Sequence, residues 1–435
     1  MRKTMSSESN ALVGIVRDFR ERRWEAQPIE RAMELALAQP EQASALVQTM
    51  ISDMPEGGSL LNLIVGLVPL EDFPALVAMA LDVLIQNPAN RSSQDVIQGS
   101  SLQCLSALHP HLPTLFNLSV NADSYSAPWP WREAGSGPLD FLRSVIEDSR
   151  QPDEVRLRAW RSALETRDSI LLDYAVSASE QVLLRADVSA YLAVVGCKRE
   201  GQNLQWLYPD KTFHIQFSDG YMSDADRPMW IQKAHHPTWN LTAPVSGSVP
   251  FGGGLAEMGG GSATCGSCSG PLHHLVTLNP IPAGLGVGGL TALTIGTCLS
   301  CLGWECPKLY YRHDAGGHPQ ALSVNSERVT PRFPVGPLRP TLAHLAETPA
   351  RWKWQDLGAS NGRENLNRVG GYPCWVQDTE YVDCLECGKT MCFLMHLDSD
   401  LPEADGGEWL WGSGGIGYVL WCDSCNISAL FWQCT

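Results

Sequence analysis

The 435-residue sequence has no long uninterrupted apolar run. Its longest apolar stretch, Leu60–Leu70, is broken by Asn62, Gly66 and Pro69, whereas a membrane helix needs roughly 18 or more apolar residues. Residues Met1–Arg20 carry basic side chains but lack an apolar core of signal-peptide length. The sequence therefore predicts a cytoplasmic protein without membrane contact, in a compartment where thiols stay reduced.

Basic side chains are also scarce. The chain has 31 Lys and Arg against 47 Asp and Glu, which gives a formal net charge of −16. A field of that sign repels nucleic acids and anionic membranes and attracts basic proteins, so we expect no nucleic-acid partner. Acidity that serves solubility alone is the ordinary alternative. With 44% apolar residues at this length, the chain is expected to form two or three globular domains.

Common catalytic motifs are missing as well. The sequence contains no Gly-x-Ser-x-Gly, no His-Glu-x-x-His and no Walker-type loop. The glycines after Phe251, including Gly259 to Gly261, are followed by no Gly-Lys-Ser/Thr and are expected to form turns. Adjacent histidines on a strand point to opposite faces, so His235-His236 and His273-His274 are expected to be exposed or hydrogen-bonded rather than metal ligands. We therefore predict a protein that is not an enzyme.

The first part of the chain has helical periodicity. Apolar residues recur at three- and four-residue steps in three segments: Ala32-Leu35-Ala36, Leu76-Met79-Ala80-Val83-Leu84 and Leu157-Trp160-Leu164. Prolines and glycines separate these segments. We predict a helical domain over residues 1–195, either a HEAT-like solenoid of stacked hairpins or a non-repetitive bundle.

Beyond Cys197 the pattern changes to short β-branched and aromatic runs, such as Thr212–Phe217, which alternates as a strand does. The fold class predicted from sequence is therefore α+β and multidomain. A helical domain at 1–195 precedes a β-rich domain at 196–435.

Eight of the 14 cysteines form four Cys-x-x-Cys pairs: Cys265/Cys268, Cys298/Cys301, Cys384/Cys387 and Cys422/Cys425. Two intervening residues let a tight turn present both thiolates to one ion, and two such turns complete a tetrahedral site. The sequence predicts two structural zinc ions, held by these eight cysteines. A closed site of four protein ligands leaves no position for substrate.

The cysteine pairs also reveal an internal duplication. Cys265/Cys268 and Cys384/Cys387 lie 119 residues apart, and the other two pairs lie 124 apart. Apolar residues repeat at matching offsets, which predicts two copies, at about 205–315 and 365–435. Each copy is expected to hold its own zinc ion, although pairing across copies, or a disulfide, remains an alternative.

Carboxylates cluster between the cysteine pairs of the second copy. The segment Val376–Trp411 has nine of them and a single basic residue, Lys389. Carboxylates beside tryptophans suit a protein interface; the equal alternative is a solvated loop whose tryptophans turn inward. The candidate partner-binding residues are Asp398, Asp400, Glu403, Asp405, Glu408, Trp409 and Trp411.

The segment Val369–Gln377, with its Gly-Gly-Tyr-Pro-Cys-Trp, resembles the opening signature of the YwqG-like bacterial family. The knuckle Cys384–Leu394 and the strand Gly417–Cys422 add to this resemblance, which extends to the eukaryotic programmed-cell-death-2 and ribosome-maturation proteins. It covers residues 365–435 well and 205–315 loosely. Met395-His396 stands where relatives often carry Gln.

The first copy carries no clear Gly-Gly-x-Pro-x-Trp. His236-Pro237-Thr238-Trp239 followed by Phe251-Gly252-Gly253 is its expected diverged equivalent. The resemblance implies specific protein binding. Its bacterial members suggest an immunity protein that neutralises a toxic, basic partner by direct binding. The eukaryotic relatives suggest instead a chaperone or assembly factor for a basic ribosomal client, and an enzyme of unrecognised type is a third alternative.

Overall fold

The computed structural model describes residues 4–22, 26–119, 124–182, 188–201, 203–218, 220–222, 236–242, 244–257, 263–322, 328–358 and 363–435. These residues form two compact units. One comprises the described parts of Met1–Val195 together with Ala350–Arg363, and the other comprises those of Gly196–Asp226, Lys233–Pro349 and Glu364–Thr435. The expected α+β fold class is confirmed, because helices fill the first unit and strands the second. His235 and Gly259 to Gly261 lie outside the described residues.

Eleven α-helices are described in the first unit: α1 (Thr4–Glu21), α2 (Ala26–Ala38), α3 (Pro40–Asp53), α4 (Ser59–Val65), α5 (Phe73–Gln86), α6 (Arg91–Gln103), α7 (Leu112–Asn117), α8 (Leu139–Glu147), α9 (Asp153–Glu165), α10 (Ser169–Val182) and α11 (Val188–Val194). Their lengths range from 6 residues in α7 to 18 in α1. Contacts run between helices close in sequence, such as α5 with α6 and α9 with α10. In the described part of the chain, no helix is both long and apolar enough to span a membrane.

Local sequence accounts for the helix boundaries and faces. Proline stands at the first position of α3, where its missing N–H costs no hydrogen bond. The side chain of Asn90 caps α6 by accepting from the backbone N–H of Ser93 at 2.8 Å. In α5, Leu76, Ala80 and Leu84 are buried at four-residue spacing, which is the helical period that the sequence indicates.

The described residues of the segment Ala350–Arg363 pack into the helical unit although the segment follows most of the sheet in sequence. Trp354 is 3% exposed, and two guanidinium groups contact its ring, with centroid distances of 4.9 Å for Arg132 and 4.1 Å for Arg167. Glu165 accepts from both arginines and offsets one of their two positive charges. The helical core therefore includes a residue that lies far beyond position 195.

Polar contacts hold the same segment at its other positions. Arg351 Nε donates to Oε1 of Gln103 at 3.0 Å, and Nζ of Lys353 lies 2.6 Å from Oε1 of Glu133. These contacts join residues beyond position 195 to the helical domain predicted over residues 1–195. No pattern in the sequence indicates them, since sequence periodicity reports only local structure.

The second unit contains the 15 described strands: β1 (Cys197–Glu200), β2 (Asn203–Trp206), β3 (Thr212–Phe217), β4 (Val249–Phe251), β5 (His273–Leu278), β6 (Leu293–Thr297), β7 (Leu309–His313), β8 (Pro319–Ala321), β9 (Thr341–Glu347), β10 (Arg368–Gly370), β11 (Cys392–Asp398), β12 (Leu401–Pro402), β13 (Glu408–Trp409), β14 (Ile416–Cys422) and β15 (Ile427–Gln433). Eleven of them form one sheet in the order β6-β5-β4-β9-β3-β10-β11-β14-β15-β7-β8. Its two edges meet where the N–H of Thr294 donates to the carbonyl of Gly317 at 2.9 Å.

The duplication is visible in the strand register. In β5 and β6 the pairing shifts between His274 and Val276, and in β11 and β14 it shifts between Phe393 and Met395. These positions are 119 residues apart, as the first cysteines of each copy are. The two hairpins thus share one register and one bulge.

The turns after β4 and β10 match as well. Gly252 and Gly253 have φ of 71° and 94°, and Gly370 and Gly371 have φ of 72° and 75°. Glycine adopts such left-handed angles without steric cost. The Phe251-Gly252-Gly253 turn is therefore the structural counterpart of the Gly-Gly turn in the second copy.

The two copies interlock at the centre of the sheet. β3 of the first copy pairs with β10 of the second, β9 pairs with β4 of the first, and β3 pairs with β9. This reciprocal pairing makes β9 the counterpart of β3 and extends the second copy upstream to Thr341. Thr212–Gln216 are buried at every position, because a central strand is covered on both faces. The alternating pattern predicted the strand but not this burial.

Candidate metal centres

The first centre brings together four sulfur atoms from two turns. Cys265 and Cys268 precede β5, and Cys298 and Cys301 follow β6. All four Sγ atoms lie within 4.8 Å of one another, and Sγ of Cys268 is 3.7 Å from Sγ of Cys298. Four thiolates around zinc, with bonds of about 2.3 Å, would stand about 3.8 Å apart. The observed separations fit that geometry.

The second centre repeats this arrangement in the second copy. Cys384 and Cys387 precede β11, Cys422 ends β14, and Cys425 lies in the turn before β15. Their Sγ atoms also lie within 4.8 Å of one another, with 3.6 Å between Cys387 and Cys422. Each copy therefore gathers its own four cysteines, and the sulfurs do not pair across copies.

No disulfide joins any of the 14 cysteines, all of which belong to the described residues. The disulfide alternative thus finds no support in the geometry, since sulfurs about 3.6 to 3.8 Å apart are far beyond a bond of roughly 2.05 Å. The two clusters are compatible with two structural metal ions.

The first turn of each centre has the same backbone. The N–H of Cys265 donates to the carbonyl of Gly270, and that of Cys384 donates to the carbonyl of Lys389, both at 2.8 Å. Ser269 and Gly388 occupy the same left-handed position, with φ of 62° and 66°. This tight turn is what places both thiols of a Cys-x-x-Cys on one side.

Backbone amides in these turns point at the sulfurs. The N–H of Gly270 donates to Sγ of Cys268 at 3.3 Å. At the second centre, the N–H of Lys389 lowers the pKa of Cys387 to about 7. Hydrogen bonds from Cys298 and from nearby amides lower the pKa of Cys265 to about 5. Such donors favour the thiolate of these two cysteines, which is the form that binds a metal, whereas burial raises the pKa of Cys301 and of Cys422.

The two centres differ in their exposure to solvent. At the first, Cys265, Cys298 and Cys301 are at most 2% exposed and Cys268 is half-buried. At the second, Cys384 and Cys422 are buried, Cys425 is half-buried and Cys387 is exposed. The first centre is thus the more deeply buried of the two, while the second presents a ligand at the surface.

His273 supports the first centre without being a ligand. The N–H of Leu299, between Cys298 and Cys301, donates to Nδ1 of His273 at 3.1 Å. Nε2 then carries the proton and donates to the carbonyl of Val335 at 3.1 Å. Burial lowers the pKa of His273 and keeps the ring neutral. Cys392 occupies the matching position of the second copy, so that centre lacks this support.

His236 and His274, which the sequence also presents as possible metal ligands, form hydrogen bonds instead. Nδ1 of His274 donates to the carbonyl of Gly252 at 2.8 Å, and Nδ1 of His236 lies 2.9 Å from Oγ1 of Thr238. Both histidines are buried. The support that His273 gives to Leu299 could not be found from sequence, because it depends on a contact across the hairpin.

Each copy also braces the other copy's metal centre. Nε1 of Trp432, from the second copy, donates to the carbonyl of Leu302 beside Cys301 at 3.0 Å. The N–H of Gly288, from the first copy, donates to Oδ1 of Asp423 in the Cys422–Cys425 turn at 2.5 Å. The surroundings of each metal centre therefore include residues from both copies.

The acidic segment forms a loop held at several backbone positions. The N–H of Arg339 donates to the carbonyl of Pro402 at 2.7 Å, and that of Ala404 donates to the carbonyl of Pro337 at 3.0 Å. Asp405 and Glu408 are exposed. The remaining candidate carboxylates, Asp398, Asp400 and Glu403, are partly buried.

The tryptophans of this loop point inward. Trp409 is 5% exposed and Trp411 is 1% exposed, and their rings meet edge to face in the sheet core. Nε1 of Trp411 donates to the carbonyl of Asp398 at 3.1 Å. Of the two alternatives that the sequence left open, the tryptophans follow the inward one, because these rings complete the core; Leu410 between them is 40% exposed.

Comparisons with known proteins give one partial relationship. A protein of Salmonella typhimurium (strain LT2), named uncharacterized protein YpfL, is 28% identical to this chain over 191 residues. The match covers 42% of the chain and 40% of that protein's own length, and the name records no function. No family model matches the chain, and no solved structure matches it.

Proposed function

We propose that the protein holds two structural zinc ions and that its function is the specific binding of a basic protein partner. Four thiolates at tetrahedral separations are the donor set that structural zinc prefers. A bound zinc ion cross-links the two turns of its copy and contributes folding free energy, on the order of 10 kcal/mol in small zinc modules. With all four positions taken by cysteine, neither centre has room for substrate.

The zinc content of untagged protein tests the first half of this proposal. Elemental analysis is expected to find close to two zinc ions per chain, and thiol counting under native conditions is expected to find the four ligands of the first centre protected. Protein without metal, with these thiols oxidised in pairs, would contradict the assignment.

The observation that carries the binding function is the anchored acidic loop from Asp398 to Glu408. Its backbone is fixed against Pro337 and Arg339, so its carboxylates are presented without the entropy cost of ordering a mobile loop. Leu410 supplies an exposed apolar contact beside them. A basic partner that brings lysines or arginines around an apolar residue matches that surface.

The biological role that we propose is immunity: the chain neutralises a toxic protein by direct binding. The resemblance of Val369–Gln377 and of the cysteine turns to the YwqG-like family supports this role, as does the net charge of −16. The proposed partner is a cytoplasmic, basic toxin.

Co-expression with the neighbouring reading frame tests the immunity role. If that frame encodes the toxin, cells that express it alone should stop growing, and cells that also express this chain should recover. A ribosomal or housekeeping neighbour, with the chain bound to a newly made ribosomal protein, would replace immunity by the chaperone alternative.

Charge variants test the binding surface once the partner is in hand. Changing Asp398, Asp400, Glu403 and Asp405 to Asn or Gln should slow association and flatten its salt dependence, because electrostatic steering acts mainly on the association rate. A charge-matched control neutralises four exposed carboxylates of the helical unit: Glu71, Asp82, Asp140 and Asp173. Equal effects from the two sets would mean that net charge, rather than this loop, attracts the partner.

A further inference from the structure

One of the eight ligand thiols differs from the others in its exposure to solvent. Cys387 is exposed, while its partners Cys384 and Cys422 are 2% and 5% exposed. Leu385, in the same turn, is 53% exposed, so this turn protrudes from the sheet. A reagent in solution can therefore reach a sulfur of the second centre without any opening of the fold.

The first centre is more deeply buried, because Cys268, the counterpart of Cys387, is half-buried rather than exposed. Tyr311 is 1% exposed, and its hydroxyl accepts from the N–H of Cys298 at 3.1 Å. Segment 328–340 adds two contacts: the N–H of Val329 donates to the carbonyl of Ser267, and that of Val335 donates to Oγ of Ser300, both at 3.0 Å. These contacts hold segment 328–340 against both cysteine turns of the first centre.

The sulfur positions of the second centre also allow a disulfide between Cys387 and Cys422. Sγ of Cys387 lies 3.6 Å from Sγ of Cys422, and a disulfide requires about 2.05 Å. The two sulfurs need to approach by only about 1.6 Å, which side-chain rotation supplies once no ion holds them apart. An exposed thiolate beside a buried one is the usual arrangement of an attacked and a resolving cysteine.

We propose that the second centre is an oxidation site at which a hydroperoxide joins Cys387 to Cys422 and releases the metal, while the first centre keeps its own. This inference rests on the proposed presence of zinc at both centres. The thiolate of Cys387 attacks the peroxide and breaks its O–O bond, which leaves a sulfenic acid and an alcohol or water. The thiolate of Cys422 then attacks that sulfur, forms the S–S bond and displaces hydroxide, which takes up a proton as water.

The step balances as two thiolates, one hydroperoxide and two protons giving one disulfide, one alcohol (or water, from hydrogen peroxide) and one water. The two electrons come from the two sulfurs and reduce the O–O bond. The second centre then retains two of its four ligands, too few to hold a zinc ion firmly. Thiol reductant together with zinc should reverse the change, because a disulfide is the reversible product of this oxidation.

Zinc release from the full-length, zinc-loaded chain tests this inference. Hydrogen peroxide is titrated into the protein while a chromogenic chelator reports free zinc, and peptide mass spectrometry locates the disulfides. We expect one of the two zinc ions to be released, with Cys387 joined to Cys422 and the four thiols of the first centre still reduced.

A variant separates the exposed thiol from the rest of the fold. Cys387→His keeps four zinc ligands but removes the reactive sulfur, so it should bind two zinc ions and release neither at the same peroxide dose. Cys392→Ser, which changes a half-buried non-ligand thiol, should behave as the unaltered chain does.

Release of both ions together, release of neither, or first oxidation at Cys265–Cys301 would overturn the inference while leaving the zinc proposal intact. Absence of zinc before peroxide is added would overturn the zinc proposal itself, and this inference with it. The zinc content before oxidation and the release pattern after it therefore distinguish the two failures.

Discussion

The two metal centres share a ligand set, a turn and a strand register, yet the first is more deeply buried than the second. Their common features lie within a few residues of the cysteines, where the tight turn and the bulge fix the sulfur positions. Their differences lie in what packs around them: His273 and Tyr311 serve the first centre, and Cys387 is left at the surface of the second.

The comparison shows that four ligands at the right separations do not determine how a centre behaves. Access of water, chelators and oxidants depends on neighbouring segments that the duplication did not keep alike. If exposure is what separates the two centres, changes in their ligands and neighbours should have unequal effects.

The two centres should differ most in the loss of stability that follows when one ligand is removed from each. Cys298→Ser leaves three thiolates in a buried site that water cannot complete, so the sheet should lose stability on the order of 10 kcal/mol and fail to fold. Cys387→Ser leaves an exposed position that water can fill, so the chain should stay folded with weaker zinc binding. Zinc content and thermal unfolding measure the zinc binding and the stability of both variants, with Cys104→Ser as the non-ligand control. Equal losses of stability in the two variants would show that exposure does not distinguish the two centres.

Chelation without oxidant should separate the centres by rate. A strong chelator should remove one zinc ion quickly, through the exposed side of the second centre, and the other only as the sheet opens. The chromogenic signal should therefore rise in two phases of equal size. In guanidinium, which unfolds both copies, the two phases should merge into one; a single phase in native buffer would mean that exposure does not control access.

The stability of the contact between β7 of the first copy and β15 of the second should depend on pH. His313 of β7 donates from Nδ1 to the carbonyl of Gly317 and accepts at Nε2 from Ser428 of β15. Burial lowers the pKa of His313 from 6.5 to about 4. Above pH 6.5 the ring is neutral in both states and its contribution to stability is complete.

As the pH falls from 6.5 towards 4, the unfolded chain takes up a proton that the folded chain refuses, so stability falls. The loss attributable to His313 between pH 7.5 and 5 should be about 2 kcal/mol. Urea unfolding of the unaltered chain and of His313→Gln at both pH values isolates this share, because effects of zinc and of the other histidines are common to both. If the free energy of unfolding changes equally with pH in the two proteins, His313 does not contribute to the pH dependence.

The smallest effect should come from exchanging one residue between the copies. Ser269 has a left-handed φ of 62°, which costs a non-glycine residue about 1 kcal/mol. Gly388 holds the matching position, and a Cβ added there would meet no other atom within 4 Å. Gly388→Ser should therefore destabilise the second copy by about 1 kcal/mol, and Ser269→Gly should stabilise the first by less than that, since glycine also frees the unfolded chain. Denaturant midpoints of the two variants, with zinc present throughout, check the opposite signs.

The sequence was sufficient for those features that depend on spacing. Cys-x-x-Cys pairs at 119- and 124-residue offsets predicted two four-cysteine clusters and a duplicated sheet, because a short turn determines where its own thiols point. Three- and four-residue periodicity located α5 and α9, and the run Thr212–Phe217 located β3.

Features that depend on distant partners were beyond the same reasoning. Which strand lies beside β3 is decided by packing between copies, so the reciprocal pairing with β10 and β9 left no local signal. The inward turn of Trp409 and Trp411 also could not be chosen from sequence, since an acidic loop with tryptophans is compatible with either direction. The burial of the first centre depends on segment 328–340, whose sequence is rich in proline and carries no periodicity.

The place of Ala350–Arg363 in the helical unit has a consequence for synthesis on the ribosome. Arg351 and Lys353 bind residues that were made about 220 to 250 positions earlier. At the usual rate of translation, roughly 5 to 20 residues per second, the first 195 residues wait about 8 to 30 s for Trp354 to complete their core. During that interval Arg132 keeps its contact with the ring of Trp129, but neither Arg132 nor Arg167 has the ring of Trp354 beside it.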